Sequence, residues 1–165
     1  EIRLSLVGSE MCIRDRINEA LNNGRGVFIA SLTSNREGAS LQTSIRQTGS
    51  YRGTTVAHGI AQTAQTFNNN TKGMGSVGLI VGATIGDWMN GGGIDLTSFT
   101  GPILSPGYGW QGAEANDLKT VFAGTHGNVL VTVSRSIASH GPDIGALSNA
   151  TERIAWDIRQ ALMDS

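Results

Sequence analysis

From Ile17 onward, short apolar runs rich in Val, Ile and Leu alternate with longer stretches in which apolar residues recur at helical spacing. Short unbroken apolar runs fit strands buried on both faces, and helices between them fit a parallel sheet. Four such units are predicted. Residues 26–34 (GVFIASLTS) form the first strand, followed by a helix over about 37–47 and a second over 54–67. Residues 68–75 (NNNTKGMG) form a loop that leads into the second strand, 77–84 (VGLIVGAT). A Gly-rich connection (GDWMNGGG) and a short helix around 95–99 come next. The third strand is 102–105 (PILS), a helix covers 116–122, and the fourth strand is 128–134 (NVLVTVS). Helical spacing then runs from 143 to 163, with Ile144, Leu147, Ile154, Trp156, Ile158 and Leu162 expected as its buried side.

Regular strand-helix alternation implies right-handed crossovers between parallel strands. A closed barrel of eight such units takes about 250 residues, so four units in this length predict an incomplete α/β fold, the second half of a (β/α)8 TIM barrel. An open doubly wound sheet is the competing architecture. It calls for a Gly-rich phosphate loop after the first strand, and TSNREGA is not of that kind.

Composition narrows the function classes. Gly fills 23 of 165 positions, about twice its usual share, while charged residues reach 15% against a usual level of about 25%. Tight turns around a buried sheet account for both. A net charge of −1 provides no broad field to hold nucleic acid or an anionic membrane, although a local anion site is compatible with it. The longest apolar stretch, 77–86, is too short to span a bilayer. A single cysteine, Cys12, excludes a disulfide framework and a multi-cysteine zinc site.

The first sixteen residues, EIRLSLVGSEMCIRDR, are expected to be non-native. VGSEMCIRD resembles translated sequencing adapter, position 1 is not Met, and no secretory signal is evident. The native domain is therefore expected to be 17–165.

Two loops follow consecutive strands at their carboxyl ends, where parallel barrels carry their sites. In GPILSPGYGWQG, Pro106 fixes one backbone angle, and Gly107, Gly109 and Gly112 leave amides unshielded, so the loop can close around an anion. Gln111 adds a neutral donor and acceptor. In VTVSRSIASHGPD, Arg135 follows the fourth strand, and its forked guanidinium suits a phosphate. A surface ion pair for Arg135 and plain turn chemistry for the glycines are the competing readings.

LTSNREGA, GSVGLIVGAT, GPILSPGYGWQGA and VSRSI, in this order and spacing, resemble the orotidine 5'-phosphate decarboxylase family over nearly all of residues 17–165. The bacterial group with a T-S-N-x-E-G-A segment is the nearest in pattern. The resemblance implies that Ser34, with Thr33 beside it, hydrogen-bonds the pyrimidine edge of a nucleotide, and that Pro106 lines the base pocket. It further implies that Gln111 bridges phosphate and base carbonyl, that Arg135 clamps the phosphate, and that Ser134 donates its amide nearby. Two positions depart from the family pattern: Arg36 stands where Pro is usual, and Trp110 where a small residue usually precedes the glutamine. An indole there would either restrict loop closure or point outward.

The family's reaction is a cofactor-free loss of carbon dioxide from orotidine monophosphate, giving uridine monophosphate in pyrimidine synthesis. The resemblance implies a small-molecule nucleotide as partner, a homodimeric parent enzyme and a cytoplasmic setting. Family members stabilise the carbanion with an Asp-x-Lys-x-x-Asp segment. Here the lysines are Lys72 and Lys119, and neither sits in such a segment. The catalytic residues are accordingly expected in a missing first half, and this chain by itself is expected to be inactive.

Other features carry less. Gly73, Gly75 and Gly78 spell G-x-G-x-x-G but precede a strand, whereas a dinucleotide fingerprint follows one. His58, His126 and His140 show no metal-ligand spacing, and no G-x-S-x-G elbow occurs. The N-x-T sequences at Asn69 and Asn149 are read as incidental, and Met74, Trp88 and Met89 as packing. Two other function classes stay open: a different phosphate-binding barrel, such as a sugar-phosphate decarboxylase or isomerase, and a noncatalytic binding module.

Overall fold

A computed structural model describes residues 9–89, 93–125 and 127–163. Its elements in chain order are α1 (Ser9–Asn22), β1 (Val27–Leu32), α2 (Arg36–Gln42), α3 (Val56–Asn68), β2 (Val77–Val81), α4 (Gly86–Met89), β3 (Ile103–Pro106), α5 (Ala115–Val121), β4 (Val129–Thr132), α6 (Arg135–Ala138) and α7 (Ile144–Met163). The four strands form one parallel sheet in the order β1-β2-β3-β4. The four-unit α/β reading therefore stands, and every strand leaves its carboxyl end at the same edge.

Strand alternation gives the sheet two unlike faces. Val77, Leu79, Val81 and Ile103 are buried against Ala57, Ala61 and Ala64 of α3, Leu118 and Val121 of α5, Phe122 and Ala161 of α7. Burying each Val, Leu or Ile side chain contributes about 1.5–3 kcal/mol, so this face holds the helices to the sheet. The other face carries Phe28, Ala30, Ile80, Leu104, Leu130 and Thr132, all partly or largely exposed. Phe28 lies across Gly78, its partner in the ladder, where a Cβ would meet the ring at 2.6 Å. No described element covers this face.

Several boundaries differ from expectation. The helix expected over 37–47 stops at Gln42, because Ile45 pairs with Thr55 and Val56 N–H donates to Ser44 O at 2.9 Å, which draws the chain out of helical geometry. No helix forms over 95–99: Asp95 Oδ1 accepts from Thr97 N–H at 2.9 Å and from Thr97 Oγ1 at 2.7 Å, a local turn that competes with helix. The first turn after β2 is instead the short α4. Part of the Gly-rich connection, 90–92, lies outside the described residues, as does His126. Strand β3 starts at Ile103, since Pro102 has no N–H to donate; its carbonyl still accepts from Leu79 N–H at 3.0 Å. The short α6, beginning at Arg135, was not anticipated, and in α7 Ile144 and Trp156, expected on the buried side, are exposed, the fully buried positions being Ala150 and Ala161.

Residues 1–8 of the segment expected to be non-native lie outside the described residues, and 9–16 form one continuous helix with 17–22. In that helix Ile13 packs against the core, Arg14 lies over the Phe67 ring at 5.9 Å, and Ile17 is 1% exposed.

Candidate functional site

Because the four strands are parallel, the segments that follow them meet at one edge of the sheet. Two cavities open there. The larger, of about 500 Å³, is lined by Ser34 and Arg36 after β1, Thr84 and Trp88 after β2, and Gln111 after β3. The smaller, of about 90 Å³, is lined by Pro106, Gly107, Tyr108, Trp110 and Gln111 from the loop after β3, with Thr132, Ser134 and Arg135 at the end of β4. Gln111 lines both. Its amide offers donors and an acceptor, so one side chain can address a ligand spanning the two spaces.

The loop after β3 is shaped by hydrogen bonds within itself. Gly109 N–H donates to Ala113 O at 2.8 Å, Gly112 N–H to Gly109 O at 2.8 Å, and Ala113 N–H to Gly107 O at 3.2 Å. The amides of Gly109 and Gly112 are thus engaged in the turn, and neither residue lines a cavity. Gly107 does, with φ +117°, a conformation that side chains disfavour; a Cβ there would also stand 3.4 Å from Gln111 Oε1. Burial, and the negative charges of Asp157 and Glu114, push the Tyr108 hydroxyl above its usual range.

Arg135 and Trp110 meet across the mouth of the smaller cavity. The guanidinium carbon lies 5.4 Å from the indole centroid, and the Trp110 backbone N–H donates to Ser136 Oγ at 2.8 Å. Among the described residues no carboxylate pairs with Arg135, and its contact is the Trp110 ring.

Of the residues singled out in the sequence, Ser34, Pro106, Gly107, Gln111, Ser134 and Arg135 come together at this edge. Thr33 lines neither cavity: its N–H donates to Gln42 Oε1 at 2.9 Å and its Oγ1 accepts from Gln42 Nε2 at 3.0 Å. Thr84, Tyr108 and Thr132 were missed. Each lies at or just beyond the carboxyl end of a strand, and that position was the available signal. Trp88 does pack against the core, as expected, and also lines the larger cavity. Met74, expected to pack, is 57% exposed, and the side chain of Met89 lies outside the described residues.

A further cavity of about 290 Å³ lies between α3 and residues 95–99, with Tyr51, His58, Gln62 and Asp95 among its lining. His58 Nδ1 accepts from Asp95 N–H at 3.0 Å, which commits one face of the imidazole to structure. Lys72 and Lys119 line neither of the cavities at the strand ends. Among the described residues no helix is long and apolar enough to cross a membrane, and no group of three or more His, Cys, Asp or Glu is placed to hold a metal.

No family model matches the chain. It is similar to orotidine 5'-phosphate decarboxylase of Salinispora arenicola, with 44% identity over 146 residues, covering 88% of this chain and 50% of the relative. The Streptomyces coelicolor enzyme of the same name is 40% identical over 154 residues, covering 93% of this chain and 52% of the relative. A Streptomyces avermitilis crystal structure assigned as an orotidine 5'-phosphate decarboxylase superposes with a TM-score of 0.75 at 38% identity, covering 92% of this chain and 50% of that one. The chain spans about half the length of the curated relatives it matches.

Proposed function

We propose that this chain, which belongs with the orotidine 5'-phosphate decarboxylases in sequence and fold over about half their length, carries the nucleotide-binding part of such an enzyme. The observation that carries this reading is that Gln111 lines both the small cavity of Arg135 and the larger cavity of Ser34. A nucleoside monophosphate has a compact dianion at one end and a planar amide-rich base at the other. The small cavity suits the first: Arg135 supplies a charged fork, and Gly107 leaves the backbone open to close approach. The larger suits the second, with the Ser34 hydroxyl as donor or acceptor toward a pyrimidine edge. Gln111 then reads whether phosphate and base are present together.

The reaction is decarboxylation of orotidine monophosphate to uridine monophosphate without a cofactor. Its difficult step is formation of a carbanion, which needs a cation beside the developing charge. Neither lysine of this chain lines the cavities, so the ammonium and carboxylates come from polypeptide beyond it, in the first half of a TIM barrel of which this is the second. Binding energy from the phosphate, which does not react, lowers the barrier by holding the base in place while the site closes. The working enzyme is a soluble cytoplasmic homodimer in this reading, and residues 1–16 are not part of its native sequence.

Calorimetric titration of the chain with uridine monophosphate and with ribose 5-phosphate tests the proposal. Uridine monophosphate is expected to bind more tightly, with Gln111→Ala narrowing the difference. Equal binding of the two ligands points to a sugar-phosphate barrel, and binding of neither overturns the nucleotide reading.

A further inference from the structure

We propose that Trp110 is a positioning residue for the phosphate end of this site: its indole face holds the Arg135 guanidinium at the mouth of the small cavity. The inference rests on the phosphate reading above and adds to it a residue that supplies no hydrogen bond of its own side chain to the ligand.

The indole is 60% exposed, yet it is not free of partners, because Arg135 lies over it at 5.4 Å. A cation over the face of a tryptophan is attracted by the ring's quadrupole, and Trp is the strongest of the aromatic residues in this role. A guanidinium carries its N–H groups around its periphery, so an N–H edge turned away from the indole stays available to fork onto a phosphate. An exposed arginine otherwise samples many rotamers, and each must be given up when a phosphate binds. Stacking removes part of that loss before the ligand arrives.

The backbone that carries the indole is itself fixed. The Trp110 backbone N–H donates to Ser136 Oγ at 2.8 Å, which ties the loop after β3 to the first turn of α6, one residue beyond Arg135. The approach is so close that a Cβ on Gly109, already at φ +75°, would stand 2.4 Å from Ser136 Oγ. Two strand-end loops are thus joined through Trp110, by its backbone to Ser136 and by its ring to Arg135. Both Trp110 and Arg135 line the same 90 Å³ space.

The test combines binding with a readout that needs no ligand. Uridine monophosphate is titrated into the chain and its Trp110→Phe, Trp110→Ala, Arg135→Ala and double Trp110→Ala/Arg135→Ala variants. In parallel, the Arg135 Nε–H proton is followed by NMR in the free proteins. Trp110→Ala is expected to weaken uridine monophosphate roughly 3- to 10-fold, Trp110→Phe to retain most of the affinity, and Trp110→Ala to cause no further loss once Arg135 is gone. The Arg135 Nε–H signal is expected upfield in the parent chain, from the ring current, and to move downfield in Trp110→Ala. Unchanged affinity in Trp110→Ala, or a loss of the same size with and without Arg135, overturns the proposal while leaving the nucleotide reading intact. Should the parent chain fail to bind uridine monophosphate, the nucleotide reading falls, and an Nε–H signal indifferent to Trp110 overturns the positioning role as well.

Discussion

Asn68 grips Val77 by both of its backbone polar groups: the side-chain Nδ2 donates to the Val77 carbonyl at 2.8 Å, and Val77 N–H donates to Asn68 Oδ1 at 3.1 Å. The last residue of α3 is thereby locked to the first residue of β2, with Asn68 2% exposed. The close packing continues at Gly101, where a Cβ would stand 2.0 Å from the Val77 oxygen. Removing the amide leaves a buried donor and a buried acceptor without partners, each costing about 1–3 kcal/mol. Asn68→Ala is therefore expected to lower stability by about 2–4 kcal/mol in a denaturant titration. A loss below about 0.5 kcal/mol would show that water replaces the clasp.

Arg135→Ala is expected to weaken uridine monophosphate by about 1.5–3 kcal/mol, the range for hydrogen bonds to charged groups. Arg135→Lys recovers only part of this, since an ammonium lacks the planar fork. Calorimetry on the three proteins checks both statements, and equal affinities would remove Arg135 from the phosphate site.

Asp95 sets a pH dependence. Its carboxyl is held below the ordinary value of 3.8, first by the Thr97 hydroxyl and then by the Thr97 N–H; burial opposes this, and His58 adds a smaller lowering. The folded state therefore binds this proton less readily than the unfolded chain. The stability Asp95 contributes is complete above pH 3.8 and is lost as pH falls through the lower folded-state value. An NMR titration of the carboxyl carbon should place its midpoint below 3.8, and Thr97→Ala should move it upward. A midpoint that does not rise in Thr97→Ala would refute the assignment of Thr97 as the main cause.

The sheet face bearing Phe28 and Leu130, 41% and 50% exposed, lies between two outer strands, β1 and β4, whose edges no described strand pairs. Uncovered apolar surface beside unpaired edges favours self-association. Sedimentation velocity should show concentration-dependent association of the chain, reduced by Leu130→Lys. A monomer at all concentrations, unfolding in one sharp transition, would favour an independent binding module.

The adapter-like start is open to a direct check. Source DNA read across the Ile17 codon is expected to replace the codons for 1–16 with native sequence containing an Asp-x-Lys-x-x-Asp segment. Continuation of the EIRLSLVGSEMCIRDR codons into a native start would restore 1–16 to the domain.

Much of the fold was legible because these parallel strands carry apolar residues on both faces, one packed under helices and one uncovered, and so read as unbroken apolar runs. VGLIVGAT, PILS and NVLVTVS each marked a strand to within a few residues. Local chemistry was less legible. The Asp95–Thr97 turn replaced one expected helix and the Ile45–Thr55 bridge shortened another, since a hydrogen bond available in the fold outweighs a weak helical preference.

By itself the sequence determined the four-unit parallel architecture, through the spacing of its apolar runs, and it marked Pro106, Gly107, Gln111 and Arg135 as candidates, because a fixed turn, glycines, a neutral amide and a forked cation after strands suit an anionic ligand; Ser34 and Ser134 were marked by the family resemblance alone. Only the tertiary structure decided which of these share a cavity. The engagement of Thr33 by Gln42, the use of the Gly109 and Gly112 amides within their own turn, and the seating of Arg135 on Trp110 all depend on groups from different parts of the chain. Spacing along a chain carries hydrophobic periodicity, which is local. It does not carry the distance between two loops, which is set by how adjacent strands end and by which side chains meet there.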